Sequence, residues 1–125
     1  MYKVFVYGTL LTNESNWSRF LAPEKGREAK LTGFELHDAG FYPMMIPSND
    51  EKSVVWGEVF EIDEGTLISL DILEGYSAKY PDRSFFRRIT VTLDDGTIAY
   101  TYICQDGENL PLIGSGDWRL YSRRP

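Results

Sequence analysis

The chain has 125 residues, with 42% hydrophobic, 26% charged and 14% aromatic, the balance of one soluble globular domain spanning 1–125. Its net charge of −6 leaves it without the basic surface that nucleic acid or an anionic membrane requires. The pairs Arg87-Arg88 and Arg123-Arg124 are too short to reverse that balance.

In chain order, residues 2–7 read as a first strand whose apolar run, Val4-Phe5-Val6, enters Tyr7-Gly8-Thr9-Leu10. Gly8 permits a sharp turn there, and such a turn after a strand can gather backbone N–H groups into an anion-binding nest. Residues 13–22 predict a short helix, with Thr12 or Asn13 as cap and Pro23 beyond its end. Lys30 to His37 alternates like one strand. Phe41 to Pro47 is apolar but bracketed by prolines, so it reads as an edge strand or a covering loop. Val54 to Ile62 predicts a strand, and Asp63 then caps a helix that runs to Glu74. Phe85 to Leu93 and Thr97 to Cys104 flank Asp94-Asp95-Gly96, a hairpin signature. The Gly- and Pro-containing tail from Gln105 reads as a surface wrap.

Six or so hairpin-connected strands with one or two short helices predict an α+β fold, a small mixed or antiparallel β-barrel. Regular strand–helix alternation is missing, which argues against a doubly wound sheet. The lone Cys104 cannot close an internal disulfide and reads as a buried thiol, while the lone His37 cannot seed a multi-histidine metal site. No cofactor or metal site is expected. The first apolar run breaks at Gly8-Thr9, and no stretch approaches about 18 apolar residues, so a cytoplasmic location is expected. Two glycosylation triplets, beginning at Asn13 and Asn16, are read as chance matches.

One residue fits this scheme poorly. Helical projection sets Glu74 between Leu67 and Leu70, the natural core-facing pair of the 63–74 helix. A carboxylate there has a raised pKa unless it is paired. Gly75 caps the helix and clears space beside it. Two readings stand open on the residues alone: a functional acid, or a salt bridge to Arg83, Arg87 or Arg88.

The motifs in combination are more specific. Val4-Phe5-Val6-Tyr7-Gly8-Thr9-Leu10, Val55-Trp56-Gly57-Glu58-Val59-Phe60, Leu70-Asp71-Ile72-Leu73-Glu74-Gly75, Phe86-Arg87-Arg88, Ala99 to Tyr102 and Gly116-Asp117-Trp118 follow one another along nearly the whole chain. In that order they resemble the γ-glutamylcyclotransferase family, in particular its small branch related to the plant avirulence-induced proteins and the γ-glutamylamine cyclotransferases. The resemblance implies a compact mixed barrel in which Tyr7, Gly8, Thr9 and Leu10 bind substrate and Glu74 is the essential acid/base. Tyr102 and Arg88 are further candidates, as a pocket hydroxyl and as a partner of a carboxylate or of Glu74. Tyr42 and Trp118 are candidates for covering the cavity. Two departures stand out: Phe86-Arg87-Arg88 occupies the place of a family Tyr-x-Arg, and the segment from Tyr76 to Ser84 is longer than the family's.

The implied reaction releases 5-oxoproline from a γ-glutamyl amine or γ-glutamyl amino acid, by attack of the substrate's own α-amine on its γ-carbonyl. The alternative is a non-catalytic binding module that keeps the same cavity. A third reading is a cyclotransferase that strips a γ-glutamyl protecting group from a biosynthetic intermediate. The expected partner is a small molecule; oligomeric state is not legible in the sequence.

Overall fold

The computed structural model describes residues 1–80, 85–104, 106–107 and 109–123. Strand β1 (Tyr2–Val6) is the centre from which the fold is built. Its apolar run is buried on both faces, with Val4 and Phe5 fully enclosed, which explains why the sequence there does not alternate. β1 pairs antiparallel with β5 (Val54–Ile62), placing Phe5 opposite Val59, and parallel with β7 (Ile98–Cys104), placing Val4 opposite Tyr100. With β2 (Arg27–Thr32) outside β5 and β6 (Phe86–Thr92) outside β7, the sheet order is β2-β5-β1-β7-β6.

A second, antiparallel sheet has the order β4-β3-β8, formed by β4 (Pro43–Pro47), β3 (Phe34–Asp38) and β8 (Leu112–Ile113). The chain passes between sheets at Gly33, whose φ of 93° is available to glycine at little cost. The single strand expected over Lys30 to His37 is therefore two strands in different sheets. Alternation cannot reveal such a switch, because the period-two pattern runs straight through the hinge.

The sheets do not close, so the expected barrel is loose. The five-stranded sheet does curl far enough for its outer elements to touch. In the β6–β7 turn, the Asp94 N–H donates to the Lys30 carbonyl, and its carboxylate accepts from the Thr32 N–H and hydroxyl. Arg27 on the same strand pairs with Asp95 at 2.6 Å. These contacts blunt the β2 edge without a ladder.

Among the described residues, two short helices lie in connections and a third follows the last strand. The helix expected over 13–22 shrinks to α1 (Trp17–Phe20). Asn13 has a φ of 69°, and turns closed by Glu14 N–H to the Leu11 carbonyl and Trp17 N–H to the Glu14 carbonyl occupy the lead-in. Thr12 does not cap it; its hydroxyl accepts from the Gly26 N–H. α2 (Glu64–Glu74) matches the expected span, with the Asp63 carboxylate accepting from Thr66 N–H at 2.8 Å. Leu67 and Leu70 are buried, whereas Ile68, Ile72 and Leu73 are exposed, so the buried stripe is narrow. No helix is long and apolar enough to cross a membrane among the described residues.

The tail is not a surface wrap. Ile113 and Trp118 are buried in the core, and α3 (Trp118–Ser122) stacks Trp118 on Tyr121. Two isolated apolar anchors in a polar stretch carry no periodicity, so the sequence pattern missed them. The Gly116 carbonyl accepts from the Trp56 N–H at 2.8 Å, tying the tail to β5. Gly116 has a φ of 68°, and a Cβ there would lie 1.9 Å from the Val54 carbonyl oxygen.

Gly116→Ala should therefore lower the melting temperature by about 10 °C or more, read by thermal unfolding of the purified variant. An unchanged melting temperature would contradict this anchoring of the tail.

Candidate active site

A cavity of about 430 Å³ opens where five segments converge: the end of β1 with the loop after it, the β3–β4 connection, the end of α2, the start of β6, and β7. Tyr7, Gly8, Thr9, Leu10, Glu74 and Tyr102 all line it. Arg88 does not, and neither does Trp118. The cavity is thus reached by residues separated by most of the chain.

The loop is held by neighbours on both flanks. A Cβ on Gly8 would fall 2.7 Å from Cγ and Cδ of Pro43, so the close-packed proline explains the glycine. Gly8 has no left-handed backbone angle, and the sharp turn expected of it is not the cause. The Leu11 N–H closes onto the Gly8 carbonyl, and the Asn16 N–H donates to the Thr9 carbonyl. Asn16 Nδ2 also donates to Thr9 Oγ1 at 2.9 Å. Farther along, the Thr12 N–H donates to Oε1 of Glu58, a buried β5 carboxylate that also lies 3.5 Å from Arg119 of α3. The N–H groups of Gly8, Thr9 and Leu10 donate to no acceptor among the described residues. Three successive backbone donors without an acceptor among the described residues thus belong to a loop that lines the cavity.

Glu74 occupies the last turn of α2. Gly75, with a φ of 70°, closes the helix: its N–H donates to the Ile72 carbonyl, and the Tyr76 N–H donates to that of Asp71. This cap fixes the orientation of the turn that carries Glu74. Burial drives the Glu74 pKa up to about 7. Its carboxylate has no hydrogen bond or ion pair to any described residue. The salt bridge considered for it goes elsewhere in the case of Arg88, while Arg83 lies outside the described residues, as does the end of the long segment from Tyr76 to Ser84.

Asp71, three residues before Glu74, takes the interactions that Glu74 lacks. Arg88 Nη1 lies 2.7 Å from Asp71 Oδ2, and the Tyr102 hydroxyl donates to Asp71 Oδ1 at 2.6 Å. Arg88 and Tyr102 face each other across the β6–β7 ladder, so one helix carboxylate spans one cross-strand pair. The Arg88 guanidinium also lies over the rings of Tyr100 and Tyr76, at 4.5 and 5.3 Å. Arg88 is thus a strut between hairpin and helix. Asp71 was missed as a site residue, although its i, i+3 spacing from Glu74 put both on one helix side.

Both tyrosine hydroxyls near the acid are committed. The Tyr7 hydroxyl donates to the Tyr102 carbonyl at 2.6 Å, and that of Tyr102 to Asp71. Burial raises the Tyr7 pKa, and the Glu74 charge raises it further. Burial, the Asp71 bond and the charges of Asp71 and Glu74 likewise raise that of Tyr102. Glu74 is the one carboxylate among the described lining residues.

The remaining wall is aromatic. Tyr42 and Phe86 lie 6.4 Å apart by ring centroid, and Phe85 meets Phe86 edge-on at 5.1 Å. Phe86, which begins the Phe86-Arg87-Arg88 motif, gives that wall a ring without a hydroxyl. Cys104 is buried, and His37 is enclosed between the Leu110 carbonyl and Glu35, both away from this cavity's lining.

Comparison with known proteins gives the family. The family model for gamma-glutamyl cyclotransferase, AIG2-like, matches residues 4–120. A Vibrio cholerae protein whose provisional name is gamma-glutamylcyclotransferase is 39% identical over 117 residues, covering 92% of this chain and 93% of that one. The gamma-L-glutamyl-butirosin B gamma-glutamyl cyclotransferase of Niallia circulans is 32% identical, covering 97% and 78%. Among solved structures, an AIG2-like protein from Mus musculus aligns with a TM-score of 0.65 at 25% identity, covering 90% and 85%. The ytfP protein of Escherichia coli aligns with a TM-score of 0.64 at 28% identity, covering 97% and 99%. The chain is an enzyme of the gamma-glutamyl cyclotransferase, AIG2-like family.

Proposed function

We propose that the chain releases 5-oxoproline from a γ-glutamyl compound, with Glu74 carrying the proton. The observation that supports this most strongly is an unpaired, partly buried carboxylate facing the same cavity as three unused backbone donors. A γ-glutamyl group brings its own nucleophile. Folded into a near-attack conformer, its α-amine reaches the γ-carbonyl, and such intramolecular geometry is worth effective molarities of about 10⁵–10⁸ M.

As the ring closes, a bond forms between the α-nitrogen and the γ-carbon, and the bond from that carbon to the leaving nitrogen breaks. One proton leaves the attacking amine and one arrives on the departing amine. Glu74 performs both transfers in this reading: its carboxylate accepts from the attacking nitrogen, and its carboxylic acid then donates to the leaving one. A group titrating at about 7 suits both halves of that task. The charge growing on the γ-carbonyl oxygen is taken by N–H groups of the Gly8–Leu10 loop, each such donor being worth roughly 3 kcal/mol. Tyr7 and Tyr102 shape the floor between loop and acid, and Arg88 acts through Asp71 rather than on substrate. A cytoplasmic setting goes with this reading, on the acidic balance and the single buried cysteine.

Glu74→Gln should lower turnover at least about 10²-fold with little change in ligand affinity, measured by 5-oxoproline release and by calorimetric titration. Near-normal turnover would reject Glu74 as the proton carrier. Ligand binding with no 5-oxoproline from the parent protein would favour a binding module instead.

The same substitution has a stability consequence with a definite sign. Glu74 binds its proton more tightly when folded, so the charged form costs stability above pH 7 and the cost vanishes below the unfolded pKa of 4.5. Glu74→Gln should therefore be more stable than the parent at pH 8, by on the order of 2–3 kcal/mol. That advantage should shrink as pH falls from 8 to 5. Denaturant melts across this range check it, and a pH-independent difference would contradict a buried, unpaired carboxylate.

A further inference from the structure

We infer that the leaving amine of the preferred substrate carries an aromatic ring and no carboxylate, and that this ring packs against Phe41 and Phe85 at the cavity mouth. The inference rests on the cyclisation reading above, because it assigns the part of the cavity that the γ-glutamyl group does not use.

The cavity has chemically distinct walls. One carries the free N–H groups of Gly8, Thr9 and Leu10, with Ser15 and Asn16 beside them, and suits the polar glutamyl portion. The other is a continuous apolar wall. Pro43 touches Gly8, Tyr42 meets Phe86, Phe86 meets Phe85, and the Phe85 Cβ would lie 3.7 Å from a Cβ on Gly75, next to Glu74. The wall thus runs from the amide loop to the glycine beside Glu74.

Exposure rises along that wall. Phe86 is 5% exposed, Phe85 is 55% and Phe41 is 94%, and all three line the same cavity. Leu73, also exposed, completes the mouth from the α2 side. Three large apolar side chains left in water around one opening mark a surface that something apolar covers. A substrate whose γ-carbonyl sits between loop and acid projects its leaving group outward into this ring-lined region. There, stacked or edge-to-face contact with Phe85 and Phe41 shelters apolar area.

A second carboxylate on the leaving amine fits badly. An α-carboxylate on the leaving amine would enter the aromatic part of the cavity, where a charge loses its hydration and needs a cation to offset that cost. Neither Lys nor Arg occurs among the described lining residues to offset it. An uncharged arylalkyl amine escapes this penalty and gains the wall.

Three probe substrates separate the possibilities: L-γ-glutamyl ethylamide, L-γ-glutamyl phenethylamide and L-γ-glutamyl-L-phenylalanine, each assayed for 5-oxoproline release. The phenethylamide should exceed the ethylamide in kcat/KM by at least about tenfold and should also exceed the phenylalanine dipeptide. Phe85→Ala and Phe41→Ala, both at exposed positions, should each lower the phenethylamide-to-ethylamide ratio. Comparable kcat/KM for the two amides, a dipeptide equal to or better than the phenethylamide, or a ratio retained in both variants would overturn the inference while leaving the cyclisation intact. Absence of 5-oxoproline from all three would instead overturn the cyclisation reading, and this inference with it.

Discussion

A carboxylate without a partner among the described residues is the constraint on which this structure turns. Glu74 sits at the end of α2 beside the buried leucine stripe, where burial alone lifts its pKa to about 7. Among the described residues the nearby cation is engaged elsewhere. Arg88 is near enough to brace the same helix, yet its guanidinium is claimed by Asp71 one turn earlier and by the faces of Tyr100 and Tyr76. Asp71 bears that ion pair, and the Glu74 carboxylate pairs with no described residue. Because the helix C-terminus is the negative end of its dipole, the position further favours the neutral acid.

The opposite wall is prepared by different means. Strand β1, trapped between β5 and β7, delivers the Tyr7–Leu10 loop to a fixed place. Pro43 of the second sheet seats against Gly8, and Glu58 of β5 holds the loop's far side through Thr12. α3 reaches the same anchor through Arg119, which donates to the Thr12 carbonyl and approaches Glu58. Loop geometry therefore depends on both sheets and on the tail. In the proposed reaction, donors held in this way would need no rearrangement as charge develops.

Much of this was legible in the residues, for identifiable reasons. β1 and β5 announce themselves by β-branched runs, α2 by the Asp63 and Gly75 caps, and the β6–β7 hairpin by Asp94-Asp95-Gly96. Glu74 stood out because it broke the apolar stripe of its helix, and the Tyr7–Leu10 loop because glycine follows a buried strand. What escaped depends on contacts between distant segments. The sheet switch at Gly33 preserves alternation and so leaves no mark. The turns of 13–16 imitate a helix start. Ile113 and Trp118 are single anchors without a period. The partnership of Asp71 with Tyr102 and Arg88 exists only once the hairpin packs on α2. Phe41 and Phe85 read as loop and strand-start residues until the cavity brings them to one opening.

The titration of Glu74 is read on its own carboxyl carbon. In protein with carbon-13-labelled glutamate side chains, the resonance lost in Glu74→Gln identifies this group, and its shift is followed from pH 3 to pH 9. The account predicts a midpoint near 7, in keeping with a desolvated and unpaired acid. A midpoint near the ordinary glutamate value of about 4.3 would contradict it.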